Sequence, residues 1–210
     1  RLWSHRRAMQ PTTLTHAGCG IAMTPVLVCA HCRAPVRARD VRYEVGPGAG
    51  LERMPSPRSS RRIAAPPDEG AKLHLLAGES IDHFGDRWTQ QVLSTFFLGA
   101  RRFDDIRTQC GVATNILADR LKLLVEHGTL QRRACAADPR HHEYVLTPKG
   151  MDLYPIILTL MKWGDRWLAG KSGPPLILHC TRCNHVLDAV VACDQCGGRL
   201  DPHDVSFRRG

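Results

Sequence analysis

One four-ligand pattern occurs twice in this chain, and the two occurrences align well beyond the ligands. His16-x2-Cys19-x9-Cys29-x2-Cys32 returns 164 positions later as Cys180-x2-Cys183-x9-Cys193-x2-Cys196. Leu14 aligns with Leu178, Val26 with Val190, Asp40-Val41 with Asp204-Val205, Tyr43 with Phe207 and Gly46 with Gly210. A repeat at this spacing implies that residues 47–210 form one complete unit and that residues 1–46 are the tail of a preceding one. A start at Arg1 rather than methionine agrees with that expectation.

Two knuckles nine residues apart can present four ligands tetrahedrally to one ion, and Zn²⁺ is the usual occupant. In the first copy His16 stands where Cys180 does, a substitution zinc tolerates. The nine-residue gap leaves room for a small β-hairpin, with Val186-Leu187 and Val190-Val191 as strand formers. Each repeat is therefore expected to close its own site. His16, Cys19, Cys29 and Cys32 would form one, and Cys180, Cys183, Cys193 and Cys196 the other. Four protein ligands leave no open position, so the zinc would be structural and not catalytic. His31, His179, His185 and His203 read as surface residues.

The apolar stretch 21–28 is too short for a signal peptide, contains Pro25 and lacks a clear cleavage site. No apolar run approaches the roughly 20 residues of a membrane helix. A cytoplasmic location follows as an expectation, and there paired Cys-x2-Cys motifs bind metal more readily than they form disulfides.

The net charge of +9 suits a polyanionic partner, but it is unevenly spread. Residues 1–70 hold 11 basic and 5 acidic side chains, 71–170 hold 13 and 11, and 171–210 hold 5 and 4. Any nucleic-acid surface in the middle must therefore come from the placement of charge. Residues 47–70 are rich in Pro, Gly and Ser and keep no hydrophobic period, which marks a flexible basic linker. Its Arg61-Arg62 pair reads as a solvated stretch.

Helical periodicity runs from about Leu73 to Phe97, with Trp88, Val92, Leu93, Phe96 and Phe97 on an apolar face and Gly99 as the stop. Phe103, Ile106 and Cys110 mark a second helix closed by Gly111, and Cys110 reads as a small core residue. A third helix over 114–127 places Leu117, Leu121, Leu124 and Val125 on one side. The segments 130–134 and 142–146 flank a polar turn around Asp138-Pro139, as a β-hairpin requires. Thr147 and Pro148 then signal a helix start. The last helix carries Leu153, Ile156, Ile157, Leu160, Trp163 and Trp167 on one broad face. Helix, helix, helix, hairpin, helix is the order of a winged helix-turn-helix. The fold class is thus mainly α with a small β-hairpin: a winged helix-turn-helix domain over 71–170 plus small zinc-ribbon-like modules at 1–46 and 171–210.

The third helix is two-faced. Thr114, Asn115, Ala118, Asp119 and Lys122 are short or polar and lie near its N-terminus, the end that enters a major groove. Asn can bond adenine in two places, and Thr or Ala can meet a thymine methyl. Arg132 and Arg133 on one strand of the hairpin, with Arg140, His141 and His142 entering the other, make a wing suited to phosphate or the minor groove. Arg101 and Arg102 can meet backbone at the start of the second helix. Cys135, beside the wing arginines, has the surroundings of a reactive thiol.

Residues 80–170 resemble the HxlR-type family of bacterial winged-helix regulators. Gly85-Asp86-Arg87-Trp88, Arg102-Phe103-Asp104-Asp105-Ile106, Leu117-Ala118-Asp119-Arg120-Leu121 and Tyr144-Val145-Leu146-Thr147-Pro148-Lys149-Gly150 carry the resemblance. It implies a homodimer joined through the first and last helices and bound to operator double-stranded DNA as a transcriptional regulator. Many such relatives sense electrophiles through a cysteine just before the first helix, and residues 71–81 contain none. No phosphate loop, nucleophile elbow or open metal site suggests an enzyme. The alternative is a zinc-ribbon adaptor that uses the winged helix as a scaffold for protein or RNA.

Overall fold

The computed structural model describes residues 12–50, 86–135 and 141–209. In chain order these form β1 (Thr12–His16), β2 (Ala22–Met23), β3 (Pro25–Cys29), β4 (Val41–Val45), α1 (Arg87–Phe97), α2 (Phe103–Cys110) and α3 (Thr114–Glu126). The wing strands β5 (Leu130–Ala134) and β6 (His142–Leu146), the short α4 (Pro148–Met151), α5 (Tyr154–Trp167), β7 (Leu176–Cys180), β8 (Ala189–Cys193) and β9 (Val205–Arg209) follow. The chain divides into two units, one of residues 1–49 with 154–210 and the other of residues 50–153.

In the second unit the expected second and third helices and the hairpin are present, the strands with the bounds read from the sequence. The last helix, expected to run on unbroken from Thr147, is instead split by a turn at Asp152-Leu153 into α4 here and α5 in the first unit. The part of the first helix expected before Arg87, and most of the linker over 47–70, lie outside the described residues. Leu93, Phe96, Ile106, Leu117, Leu121, Leu124 and Leu130 are each at most 2% exposed, so one core holds three helices against the first wing strand. Burying each such side chain contributes about 1.5–3 kcal/mol before chain entropy is counted. Asp86 caps α1 by accepting from the N–H groups of Trp88 (2.9 Å) and Thr89 (3.1 Å). Its carboxylate also meets Arg120 of α3 at 3.1 Å, which ties the first helix to the third. Gly111 ends α2 in the left-handed conformation, φ 57°.

Thr147 caps α4 as expected, accepting from the N–H of Gly150, while its hydroxyl donates to the carbonyl of Gly128. Lys149 donates to the carbonyl of His127 at 2.8 Å, placing a cation where the α3 dipole ends in carbonyls. A Cβ on Gly150 would stand 2.3 Å from the Thr129 carbonyl, so this position needs glycine.

The other unit departs from expectation. β7, β8 and β9 are β1, β3 and β4 again, each 164 positions on, but neither set pairs within itself. β1 pairs with β9, β3 with β8 and β4 with β7, all antiparallel. Leu14 lies opposite Phe207 and Tyr43 opposite Leu178, so exchanging the two repeats reproduces the same ladders. The β1–β2 contact of Thr15 with Ala22 likewise returns as the bridge between His179 and Val186. The repeats are related by a pseudo-twofold axis through the β3–β8 ladder, where Val28, Val190 and Ala192 are buried against Val26 and Ala30. The separate modules expected at 1–46 and 171–210 are thus one interlocked unit.

α5 contributes to this unit, and its apolar residues divide into two faces. Tyr154, Ile157 and Leu158 are buried, whereas Ile156, Leu160, Trp163 and Trp167 are exposed, the two Trp by 56% and 63%. Lys162 donates to the carboxylate of Asp188 and to the carbonyl of Ala189, which fixes the helix to the start of β8. At the exit of β4, the N–H of Gly46 donates to Pro175 and that of Gly48 to Pro174. A Cβ at either glycine would come within 2.3 Å of a carbonyl oxygen in 173–174, so the two chain passages touch backbone to backbone.

Candidate metal centres and nucleic-acid interface

Four ligand pairs sit on four turns of one design. The N–H of Gly20, Arg33, Asn184 and Gly197 donates to the carbonyl of His16, Cys29, Cys180 and Cys193, respectively, at 2.8–2.9 Å. Each of those ligand residues in turn donates its own N–H to the carbonyl five residues on: Ile21, Ala34, His185 and Gly198. Gly20, Arg33, Asn184 and Gly197 all have φ between 60° and 70°, the left-handed conformation that turns the chain back after the second ligand. Gly and Asn adopt it cheaply. Arg33 does not, and there the guanidinium reaches across to the carbonyl of Gly197.

The knuckles assemble in mixed pairs. His16 and Cys19 join Cys193 and Cys196, and Cys29 and Cys32 join Cys180 and Cys183. The expectation that each repeat closes its own site is therefore wrong about partners, although all eight residues fall in the two clusters. The reason lies in the β3–β8 ladder: β3 runs from Pro25 to Cys29, so four rises of about 3.3 Å hold Cys29 at one end about 13 Å from Cys193 opposite the other. The antiparallel ladder sets Pro25 opposite Cys193 and Cys29 opposite Ala189, which delivers a foreign knuckle to each end. Val190-Val191 belong to that ladder and not to a hairpin between ligands.

In the first cluster His16 Nδ1 is 3.5 Å from Cys19 Sγ and 3.3 Å from Cys196 Sγ, and the Cys19 and Cys193 sulfurs are 4.0 Å apart. In the second, Cys29 is 3.9 Å from Cys183 and Cys32 is 3.8 Å from Cys180. A tetrahedral ion with Zn–S bonds of about 2.3 Å sets its sulfurs about 3.8 Å apart, so both clusters fit one. A disulfide would need about 2.05 Å, and the cysteines of both clusters are reduced. Burial opposes ionisation of Cys180, but the N–H groups of Cys183 and Arg182 together with hydrogen bonds from the Cys183 and Cys32 thiols outweigh it and bring the thiol down to about 7. Cys193 is lowered in the same way, burial being overcome by the N–H groups of Cys196 and Gln195 and by hydrogen bonds from the Cys196 and Cys19 thiols. Their partners move the other way. Against the N–H of His185, burial and the sulfurs of Cys180, Cys32 and Cys29 push Cys183 up to about 12. Against the N–H of Ile21, burial and the sulfurs of Cys196 and Cys193 raise Cys19.

On the winged-helix unit, Thr114, Asn115, Ala118, Asp119 and Lys122 are all exposed on α3, opposite the buried Leu117, Leu121 and Leu124. Ala113 precedes the helix without a side-chain cap, so its first N–H groups stay open. Arg102, Arg132, His141 and His142 converge with Phe103, Asp104 and Tyr144 around a cleft of about 340 Å³ between the start of α2 and the wing. The N–H of Tyr144 donates to the carbonyl of Arg101 at 2.8 Å, which anchors the wing there. Two expected contacts are otherwise engaged. Arg101 turns inward and donates to the carbonyls of Phe96 and Ala100, capping α1, and Arg133 pairs with Glu143 across the hairpin at 2.8 Å. Lys122 stands 3.9 Å from Glu126 with both side chains in solvent. Arg140 lies outside the described residues. Cys110 is buried as expected and Cys135 is half-buried. The Asp86–Arg120 pair went unassigned in the sequence, although both residues fall in the motifs quoted above.

These features define a winged helix-turn-helix protein with an added ribbon whose Cys/His clusters are compatible with a metal. The HxlR-like helix-turn-helix family model matches residues 83–172. An uncharacterized HTH-type transcriptional regulator of Mycobacterium tuberculosis is 36% identical over 141 residues, covering 65% of this chain and 89% of that protein. Another such regulator, from Synechocystis, is 31% identical over 93 residues, 44% of this chain and 69% of its own length. The crystal structure of PA1607, a candidate transcription factor, superposes with a TM-score of 0.59 at 28% identity, over 66% of this chain and 99% of that one. The chain belongs to the HxlR family.

Proposed function

We propose that this protein is a sequence-specific DNA-binding transcriptional regulator that sets α3 in the major groove and the β5–β6 wing on the flanking backbone. The observation that carries the proposal is the exposed row of Thr114, Asn115, Ala118, Asp119 and Lys122, on a helix whose other side is core. Asn115 would read a base edge, while Arg102, Arg132 and His141 would meet phosphates. The family consists of regulators, not enzymes, and nothing in the two clusters offers an open coordination position.

Both clusters fit structural Zn²⁺, held by His16, Cys19, Cys193 and Cys196 and by Cys29, Cys32, Cys180 and Cys183. Bound zinc would cross-link thiolates and fix the ribbon, chemistry that stabilises and does not turn over substrate. The exposed stripe of Ile156, Leu160, Trp163 and Trp167 supports pairing with a second copy through α5, and the homodimer we propose would use α1 as well. Among the described residues no helix is long and apolar enough to cross a membrane, and we place the protein in the cytoplasm.

The test is binding of the purified protein to duplexes from its own promoter region against random-sequence duplex of equal length. Discrimination that survives physiological salt is the expected result. Equal binding to both, abolished by salt, would overturn the proposal in favour of an adaptor role.

A further inference from the structure

The pseudo-twofold relates the two metal clusters, but their surroundings are not alike. His31, inside the Cys29–Cys32 knuckle, stacks on His185, just past the Cys180–Cys183 knuckle, with ring centroids 3.5 Å apart and planes at 22°. The equivalent positions beside the other cluster are Gln195 and Ile21, which cannot form such a pair. Ligand atoms of His31, His185 and Cys183 all lie within 4.8 Å of one another.

We propose that His31, His185 and the thiolate of Cys183 form a third metal site, for an exchangeable ion of the Zn²⁺ or Cd²⁺ class, with Cys183 bridging to the four-cysteine cluster. This rests on the reading of that cluster as a metal site. His185 Nδ1 donates to the carbonyl of Cys183 at 2.8 Å, a tautomer that keeps the Nε2 lone pair for a metal. Metal-bound histidines typically donate their second N–H to a carbonyl in this manner, which fixes tautomer and ring direction. Stacked rings direct their lone pairs along nearly parallel planes, so binding one ion would turn the two exposed imidazoles out of the stack. Zn–N bonds of about 2.0 Å and Zn–S bonds of about 2.3 Å then span the gap. A thiolate keeps lone pairs after binding one ion and can serve a second. Three protein ligands would leave a position for water, so this ion would exchange where the four-ligand ions do not. His31 and His185 come from opposite repeats, so the third ion would also cross-link them.

The experiment is equilibrium dialysis of the full chain against increasing Cd²⁺, read by elemental analysis and by ¹¹³Cd NMR. We expect two tight equivalents followed by a weaker third, whose arrival shifts the resonance of the four-cysteine site through the shared sulfur. His31→Ala and His185→Ala should each remove the third equivalent and retain the first two. Saturation of the wild type at two equivalents would overturn the third site and leave the four-ligand reading intact. A third equivalent that persists in both variants would also overturn it, since the ion would lie elsewhere. Fewer than two equivalents in the wild type would defeat the underlying reading itself.

Discussion

Leu27 faces Val191 at the middle of the β3–β8 ladder, and the two are the same position of the two repeats. A residue opposite its own counterpart marks a self-complementary contact of the kind found at twofold homodimer interfaces. Here the contact is made within one chain. The β1–β9, β3–β8 and β4–β7 ladders and both ligand clusters of the ribbon unit take half their residues from one repeat and half from the other.

That arrangement makes metal content diagnostic. Cys19→Ser with Cys196→Ser strikes one mixed cluster, and we expect elemental analysis of reduced protein to fall from two zinc equivalents to about one. Cys19→Ser with Cys32→Ser strikes both clusters and should remove nearly all zinc. If ligands were instead confined to single repeats, the two outcomes would be reversed.

Asp86 is the joint between α1 and α3. Burial raises its carboxyl, but the hydroxyl and N–H of Thr89, the Arg120 guanidinium and the N–H of Trp88 outweigh that and hold it below the ordinary carboxylate value. Asp86→Ala removes both the cap and the ion pair and should cost about 1–3 kcal/mol in urea unfolding. Asp86→Asn keeps an oxygen for the cap and should cost less. Because the folded-state pKa is depressed, this stabilisation is present above the unfolded value near pH 3.9 and is lost as pH falls through the folded one. The acid limb of wild-type stability should therefore be steeper than that of Asp86→Asn.

Base reading and phosphate contact separate in titrations at several salt concentrations. Asn115→Ala should weaken binding to the specific duplex by about 1–3 kcal/mol and leave random duplex unaffected. Arg132→Ala should weaken both duplexes together and lower the salt slope, because a phosphate contact releases counterions without reading sequence. Arg101→Ala should act through stability, since its guanidinium caps α1. An unaltered preference in a folded Asn115→Ala protein would remove α3 from the groove.

Association should respond to the α5 stripe. Trp163→Gln with Trp167→Gln is expected to shift sedimentation towards the monomer at micromolar concentration with little change in thermal midpoint, because both rings are exposed in the chain. A large loss of stability with unchanged mass would assign the rings to the core.

The winged helix is legible in the sequence because its signals are local. The alternating segments 130–134 and 142–146 are the wing strands, and Thr147-Pro148 starts α4 where expected. The ribbon hides its topology because ligand spacing reports which residues bind and not whose knuckle they meet. A nine-residue gap admits a hairpin or a single straight strand, and only the burial of Val28, Val190 and Ala192 across repeats selects the strand. The apolar stripe of α5 has the same ambiguity, since periodicity places Ile156 and Ile157 near one another while one is exposed and the other buried. The Asp86–Arg120 pair joins residues far apart in sequence, which no period encodes.

The close approach of Gly46 and Gly48 to 173–175 has a topological consequence. Everything between those passages is a loop whose two feet are riveted side by side. A single backbone cut within 50–153 would leave two fragments still joined by three strand ladders and both ligand clusters. A nicked chain would thus travel as one particle until denaturant opened the ladders.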